Sequence, residues 1–169
     1  QSPELLVVCV NTTRAWRHKH GEVSQPQIAR VAQLLRGADA GQLRVVVVHQ
    51  PVAVTRTQDA VNVLGGGAAA LQQWAAAGAD VVMGGHIHLP YVLPLQGLAR
   101  PVWAVQAGTA VSSRVRDGVP NSVNLLRWGT DAPAANCQVE RWDYAAAQNS
   151  FVLAKTSEIR PARGSDGSA

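Results

Sequence analysis

Hydrophobic positions along this chain follow two different periods, and the change from one to the other divides the sequence. Leu5 to Val10 is an unbroken apolar run, the mark of a strand buried on both faces. Ser24-Gln25-Pro26-Gln27 then has the form of a helix start: a Ser cap, Gln three residues later for a reciprocal capping box, and Pro in the first turn. Ile28, Val31, Leu34 and Leu35 fall on one helical face, and Gly37 can end the helix. Leu43 to Val48 reads as a second strand, Gly67 to Ala77 as an Ala-rich helix ending near Gly78, and Val81 to Met83 as a third strand. From Tyr91 onward the helical period disappears. Short β-rich runs follow at Tyr91–Leu95, Val102–Gln106, Ser122–Trp128, Gln138–Trp142 and Phe151–Ala154, separated by Gly, Pro, Asn and Asp. Strands alternating with helices and then strands alone predict a layered α/β sandwich rather than a regular doubly wound sheet. The Gly- and Ser-containing tail from Pro161 to Ala169 is expected to fray.

Composition changes this picture only slightly. At 169 residues with 47% apolar and 15% charged residues, the chain is expected to be one folded domain, and disorder is argued against. The apolar share also suggests a surface covered by a partner or by a missing half. Formal charge is +4, with thirteen Arg against two Lys, but the Arg residues are scattered and indicate no nucleic-acid patch. Cys9 and Cys137 form no metal-like pair, and Cys9, within an apolar run, reads as a buried small hydrophobe. No secretory signal, membrane-spanning run or lipidation motif is present, which makes the cytoplasm the default expectation; a mature periplasmic chain remains open.

Candidate chemistry sits where apolar runs end. Asp80-Val-Val-Met-Gly-Gly-His-Ile-His88 closes a strand with two glycines and a His-x-His pair. In extended backbone residues i and i+2 point to the same side, so His86 and His88 are expected to leave the strand end together, aimed at one point. His49 ends the run Arg44 to Val48 in the same way. Ligands of open α/β sheets gather beyond the carboxyl ends of strands, so three imidazoles there suggest a transition-metal site. Ordinary loop histidines at strand ends are the competing reading. His18 and His20, set beside Arg17 and Lys19, read as loop or rim residues. Gly65 to Ala70 formally fits a dinucleotide fingerprint but follows no strand directly, and is read as a flexible turn into a helix.

The tetrad Gly85-His86-Ile87-His88 resembles the Gly-His-x-His motif of the calcineurin-like metallophosphoesterases, and Val45 to Pro51 resembles the strand and His-x-Pro motif that precede it there. Ala107 to Arg116 and Pro120 to Asn124 are similar to the segment that follows in the branch containing cyclic-nucleotide phosphodiesterases. The likeness runs from about Leu5 to about Trp142. The family's opening Asp-x-His, its Gly-Asp and its Gly-Asn-His motifs are missing. The resemblance therefore implies the C-terminal half of such an enzyme: residues 1–160 as part of one metallophosphoesterase-like β-sandwich flanked by helices, and 161–169 as a tail. It implies a metal-dependent phosphoester hydrolase with two metal ions of the divalent or Fe/Mn/Zn type. His49 and His86 would bind one ion and His88 the other, whereas the bridging carboxylate and the catalytic His would lie in the absent half. Gly108, Thr109 and Arg114 are the candidate substrate-binding residues, with solvent-facing charge the competing reading of Arg114. The alternative is a catalytically incomplete metal-binding or structural module, completed by another polypeptide. Expected partners are a phosphoester substrate and the missing half or a complementary chain, with no membrane; self-association is left open.

Overall fold

The structure is a computed structural model and describes residues 2–15, 20–116, 118–129 and 137–162. The elements run β1 (Leu5–Cys9), α1 (Gln25–Arg36), β2 (Leu43–Val47), α2 (Gly67–Ala76), β3 (Val81–Gly84), β4 (Tyr91–Leu95), β5 (Val102–Gln106), β6 (Ser122–Trp128), β7 (Cys137–Ala145) and β8 (Ser150–Ile159). Short 3-10 turns occupy Thr57–Asn62 and Ala146–Gln148. One sheet has the order β1-β2-β3-β5-β4, parallel except for β4, and a second, antiparallel sheet has the order β6-β7-β8.

Strand alternation explains how these pieces stack. Val46, Val48, Val82, Val102 and Ala104 share one core with the inner faces of α1 and α2. Val45, Val81, Val105 and the partly buried Val47, Met83 and Trp103 share another core with Cys137, Val139, Ile159, Leu126 and Trp128 of the second sheet. The five-stranded sheet is thus covered on both faces, by helices on one side and by strands on the other. That is why its strands read as unbroken apolar runs instead of alternating ones. The architecture is mixed α/β with layers, as the sequence suggests.

The local signals act as expected at the helices. Ser24 Oγ accepts from Gln27 N at 3.5 Å, and Gln27 Oε1 accepts from Ser24 N at 3.0 Å, closing the capping box. Gly66 starts α2 in the left-handed region, φ 75°, where an added Cβ would lie 2.7 Å from Val23 O. Trp74, fully buried on α2, donates its indole N–H to Ile28 O at 3.2 Å and so pins α2 to α1. At the amino end of the central strands, Asp80 accepts from Arg44 N at 2.9 Å and pairs with Arg100 at 2.9 Å.

Two expectations are corrected, and one further element carries no sequence signal. Cys9 is exposed, because the second sheet covers Leu5 but not Val7 and Cys9, which follow it on the same face of edge strand β1. β7 and β8 run longer than their apolar cores, since cross-strand pairing carries the ladder through Lys155, Thr156 and Ser157 and past a register shift at Arg141/Trp142. The Thr57–Asn62 turn has no apolar period that would announce it. His18 and the tail beyond Ala162 lie outside the described residues. Among the described residues no helix is long and apolar enough to cross a membrane.

Two measurements probe this packing. Trp74→Ala removes both the largest buried side chain and the α1–α2 bond, and should cost about 3–5 kcal/mol of unfolding free energy in a urea titration. Tyr91 donates to Ala53 O at 2.5 Å, and burial, assisted by Asp59, pushes its phenol up to about 12. Because the folded value exceeds the unfolded one near 10, its stabilising contribution is complete below pH ~10 and lost as pH rises toward ~12. Tyr91→Phe should flatten that alkaline loss in stability-versus-pH curves.

Candidate functional site

The parallel ladder between β2 and β3 continues past the strand ends. Val47 faces Met83, Val48 N donates to Met83 O at 2.9 Å, and Gly85 N donates to His49 O at 2.9 Å. This register brings His49 alongside His86, with ring centroids 5.1 Å apart and planes at 65°, an edge-to-face pair. Beneath them lies a floor of buried polar side chains. Thr12 Oγ1 accepts from His49 N at 3.2 Å and donates to Gln50 Oε1 at 2.7 Å. Gln106, at the end of β5, donates to Gly85 O. Gly84 and Gly21 are glycines for packing reasons: a Cβ on Gly84 would meet the Gln106 amide at 2.6 Å, and one on Gly21 would meet the Gln50 amide at 1.9 Å.

The backbone turn falls on the histidines themselves. β3 ends at Gly84, and His86 (φ 71°) and His88 (φ 55°) both adopt left-handed backbone around the buried Ile87. The extended-backbone argument for a shared direction therefore fails here. Histidine tolerates this region better than most residues, yet each such residue stores about 1–3 kcal/mol that its surroundings must hold in place.

The neighbours differentiate the rings. His88 Nδ1 lies 2.7 Å from the carbonyl oxygen of Arg114. A carbonyl only accepts, so Nδ1 carries a proton, and in the neutral ring Nε2 is then the unprotonated nitrogen. Burial, followed by repulsion from the His49, His88 and His20 rings when these are protonated and from Arg114, holds the His86 imidazole below its ordinary value. His86 is therefore neutral at neutral pH, the form that binds metals. His20, read from sequence as a loop or rim residue, lies within electrostatic reach of His86.

A cleft of about 350 Å³ opens beside these rings, lined in part by His86, His88, Asn62, Arg114 and Arg116. Arg116 Nη2 sits 2.8 and 2.9 Å from the two carboxylate oxygens of the buried Asp59. Because β5 runs parallel to β3, the loop after it arrives at the same edge as the histidines. Ser112 to Arg116 form no strand; the Arg116 backbone makes an isolated bridge to Val119. Gly108 and Thr109 stand at the base of this loop, where a Cβ on Gly108 would meet Ser122 Oγ at 2.1 Å and Thr109 O accepts from Ser122 N at 2.8 Å. Asn62, in the 3-10 turn, carries no sequence signal of its own; Arg116 is visible in the sequence as one of two Arg alternating with Val115, able to bracket a phosphate or to face solvent, but its pairing with Asp59 is not.

The donor set suits a transition ion only in part. Neutral imidazoles are present, but among the described residues no three His, Cys, Asp or Glu side chains form a ready metal cage. Any ion held here would need further ligands.

No family model matches the chain, and no curated protein matches it. Solved structures that resemble it include Vps29 from Entamoeba histolytica in three forms. A single mutant is 14% identical at TM-score 0.36, covering 92% of this chain and 97% of its own. A double mutant is 11% identical at TM-score 0.34, with coverages of 92% and 97%. The wild-type protein complexed with zinc is 9% identical at TM-score 0.35, with coverages of 90% and 97%. At these values the likeness carries no functional argument.

Proposed function

We propose that this chain is a metal-binding module carrying the histidine part of a metallophosphoesterase-type centre, catalytically incomplete alone and completed by carboxylates from another polypeptide. The observation that carries this reading is the His49–His86 pair at the carboxyl ends of neighbouring parallel strands, with ring centroids 5.1 Å apart. The lowered basicity of His86 and the contact of His88 Nδ1, rather than Nε2, with the Arg114 carbonyl support it. Incompleteness is supported by the same geometry. Asp59, which reaches the cleft region through Arg116, already has both oxygens against that guanidinium and is not free to bridge metal ions.

His49 and His86 are the proposed ligands of one ion and His88 of the other, each completed by further donors, and zinc, manganese or iron suit imidazole nitrogen. A bound ion supplies Lewis-acid polarisation of a phosphoryl oxygen and lowers the pKa of water. This chain's own contribution is to hold neutral donors at a fixed edge and to set Arg114 beside them. A guanidinium there pairs with phosphate oxygens as a directional donor, whereas Gly108 and Thr109 hold the base of its loop. The lining of one cleft by Arg114, His86 and His88 favours a second reading, in which the completed assembly hydrolyses phosphoesters across a dinuclear site.

Calorimetric titration of the purified chain with zinc or manganese should show saturable binding. His49→Ala and His86→Ala should each weaken binding at least about tenfold, or about 1.4 kcal/mol. Absence of any saturable metal binding would remove the proposal. Steady phosphodiester turnover by this chain alone, abolished by chelator and by His86→Ala, would make it a complete enzyme instead. Arg114→Ala in the zinc-loaded chain should weaken inorganic phosphate binding about tenfold with metal content unchanged; unaltered phosphate affinity would return Arg114 to the surface charges.

A further inference from the structure

The ion pair between Asp59 and Arg116 has no part in metal or phosphate binding as described above, yet it is the most buried charge arrangement beside the cleft. Asp59 is 2% exposed and Arg116 28%. A carboxylate this deep needs its partner, so the pair fixes where the Arg116 side chain lies relative to the Thr57–Asn62 turn. Two residues earlier, the Arg114 carbonyl receives the His88 Nδ1–H at 2.7 Å. The segment is tied on either side of Val115: Arg114 N donates to Ser112 Oγ at 3.0 Å, and Val119 N donates to Arg116 O at 2.9 Å, so a single residue separates the carbonyl from the ion-paired Arg116. The position of one carbonyl thus depends on an ion pair made by a different side chain.

We propose that Asp59 and Arg116 are positioning residues for His88: they hold the 112–116 loop so that the Arg114 carbonyl selects the Nδ1–H tautomer and leaves Nε2 as the donor atom. His88 cannot set its tautomer by itself, because in a free imidazole the two forms lie close in energy and interconvert in water. An outer carbonyl that orients a ligating imidazole is worth roughly 10–100-fold in metal affinity where this has been tested in other sites. The consequence for metal binding rests on the function proposed above; the tautomer does not, and it is measurable in the metal-free chain.

The test is a long-range ¹H–¹⁵N correlation spectrum of the imidazoles at about pH 8, above the ordinary histidine value. In the parent, His88 should show a protonated Nδ1 and an unprotonated Nε2. Removing Arg116 alone would strand a buried carboxylate, so the main variant is D59N/R116Q. It should keep the parent's circular dichroism but move His88 to an exchanging mixture, and weaken zinc about tenfold. Arg114→Ala keeps the carbonyl and should keep the Nδ1–H form. If D59N/R116Q does not fold, Arg116→Lys, which retains the charge and alters the geometry, should give the same partial shift. A parent His88 in the Nε2–H form overturns the proposal, as does an unchanged His88 in folded D59N/R116Q or in Arg116→Lys. Loss of the Nδ1–H form in Arg114→Ala would overturn it as well, by assigning control to that side chain. A confirmed tautomer shift without zinc binding would refute the metal reading and leave this one standing.

Discussion

The register of β2 on β3 is the constraint on which this site depends. With Val47 opposite Met83, hydrogen bonding continues beyond both strands until Gly85 N reaches His49 O at 2.9 Å. A slip of one residue would turn Val45 and Val46 to the wrong layers, exchanging the helical core for the core under the second sheet. The same slip would separate His49 from His86. Because both faces of the sheet are buried, the apolar pattern enforces the register, and the histidine pair inherits its geometry from packing energy spent on the core.

Electrostatics at that edge pull in two directions. Burial and the surrounding positive groups keep His86 neutral, which suits a cation, but Arg114 and His20 make a bare cation less welcome. An anion between the guanidinium and a metal would satisfy both. The tension inside the cleft thus favours an anionic companion over a metal alone. Carboxylates from a partner would relieve it in the same way.

Much of this was legible in the sequence, for identifiable reasons. Strand limits at Tyr91–Leu95, Val102–Gln106 and Ser122–Trp128 follow from β-rich runs cut by turn residues, and Ser24 and Gln27 announce α1 through their own side chains. The arrival of His49 and His86 at one edge follows from two apolar strands joined through a helix, a crossover that lays them parallel. What remained hidden depends on long-range contacts. No local pattern tells that Gln106 occupies the space a Gly84 side chain would need, or that Asp59 finds Arg116 across 57 positions. Cys9 was misread because apolar neighbours report the strand, not how far the second sheet extends over it.

The left-handed histidines connect these observations. If glycines had made the turn, as the Gly84-Gly85 dipeptide suggests, the loop would be permissive and the imidazoles free to reorient. Instead Gly84 is used for close packing under Gln106, and the turn is made by His86 and His88 around Ile87, which is buried and anchors the segment. Strain of this kind persists only where surrounding contacts over-determine it. Those contacts are the Gln106 amide on Gly85 O, the His49 ring against His86 and the Arg114 carbonyl on His88. They come from two strand ends, that of β2 and that of β5 with the loop following it. The imidazoles are thus oriented before any ligand arrives, and the ordering cost that a flexible loop would impose on binding has already been met by the fold.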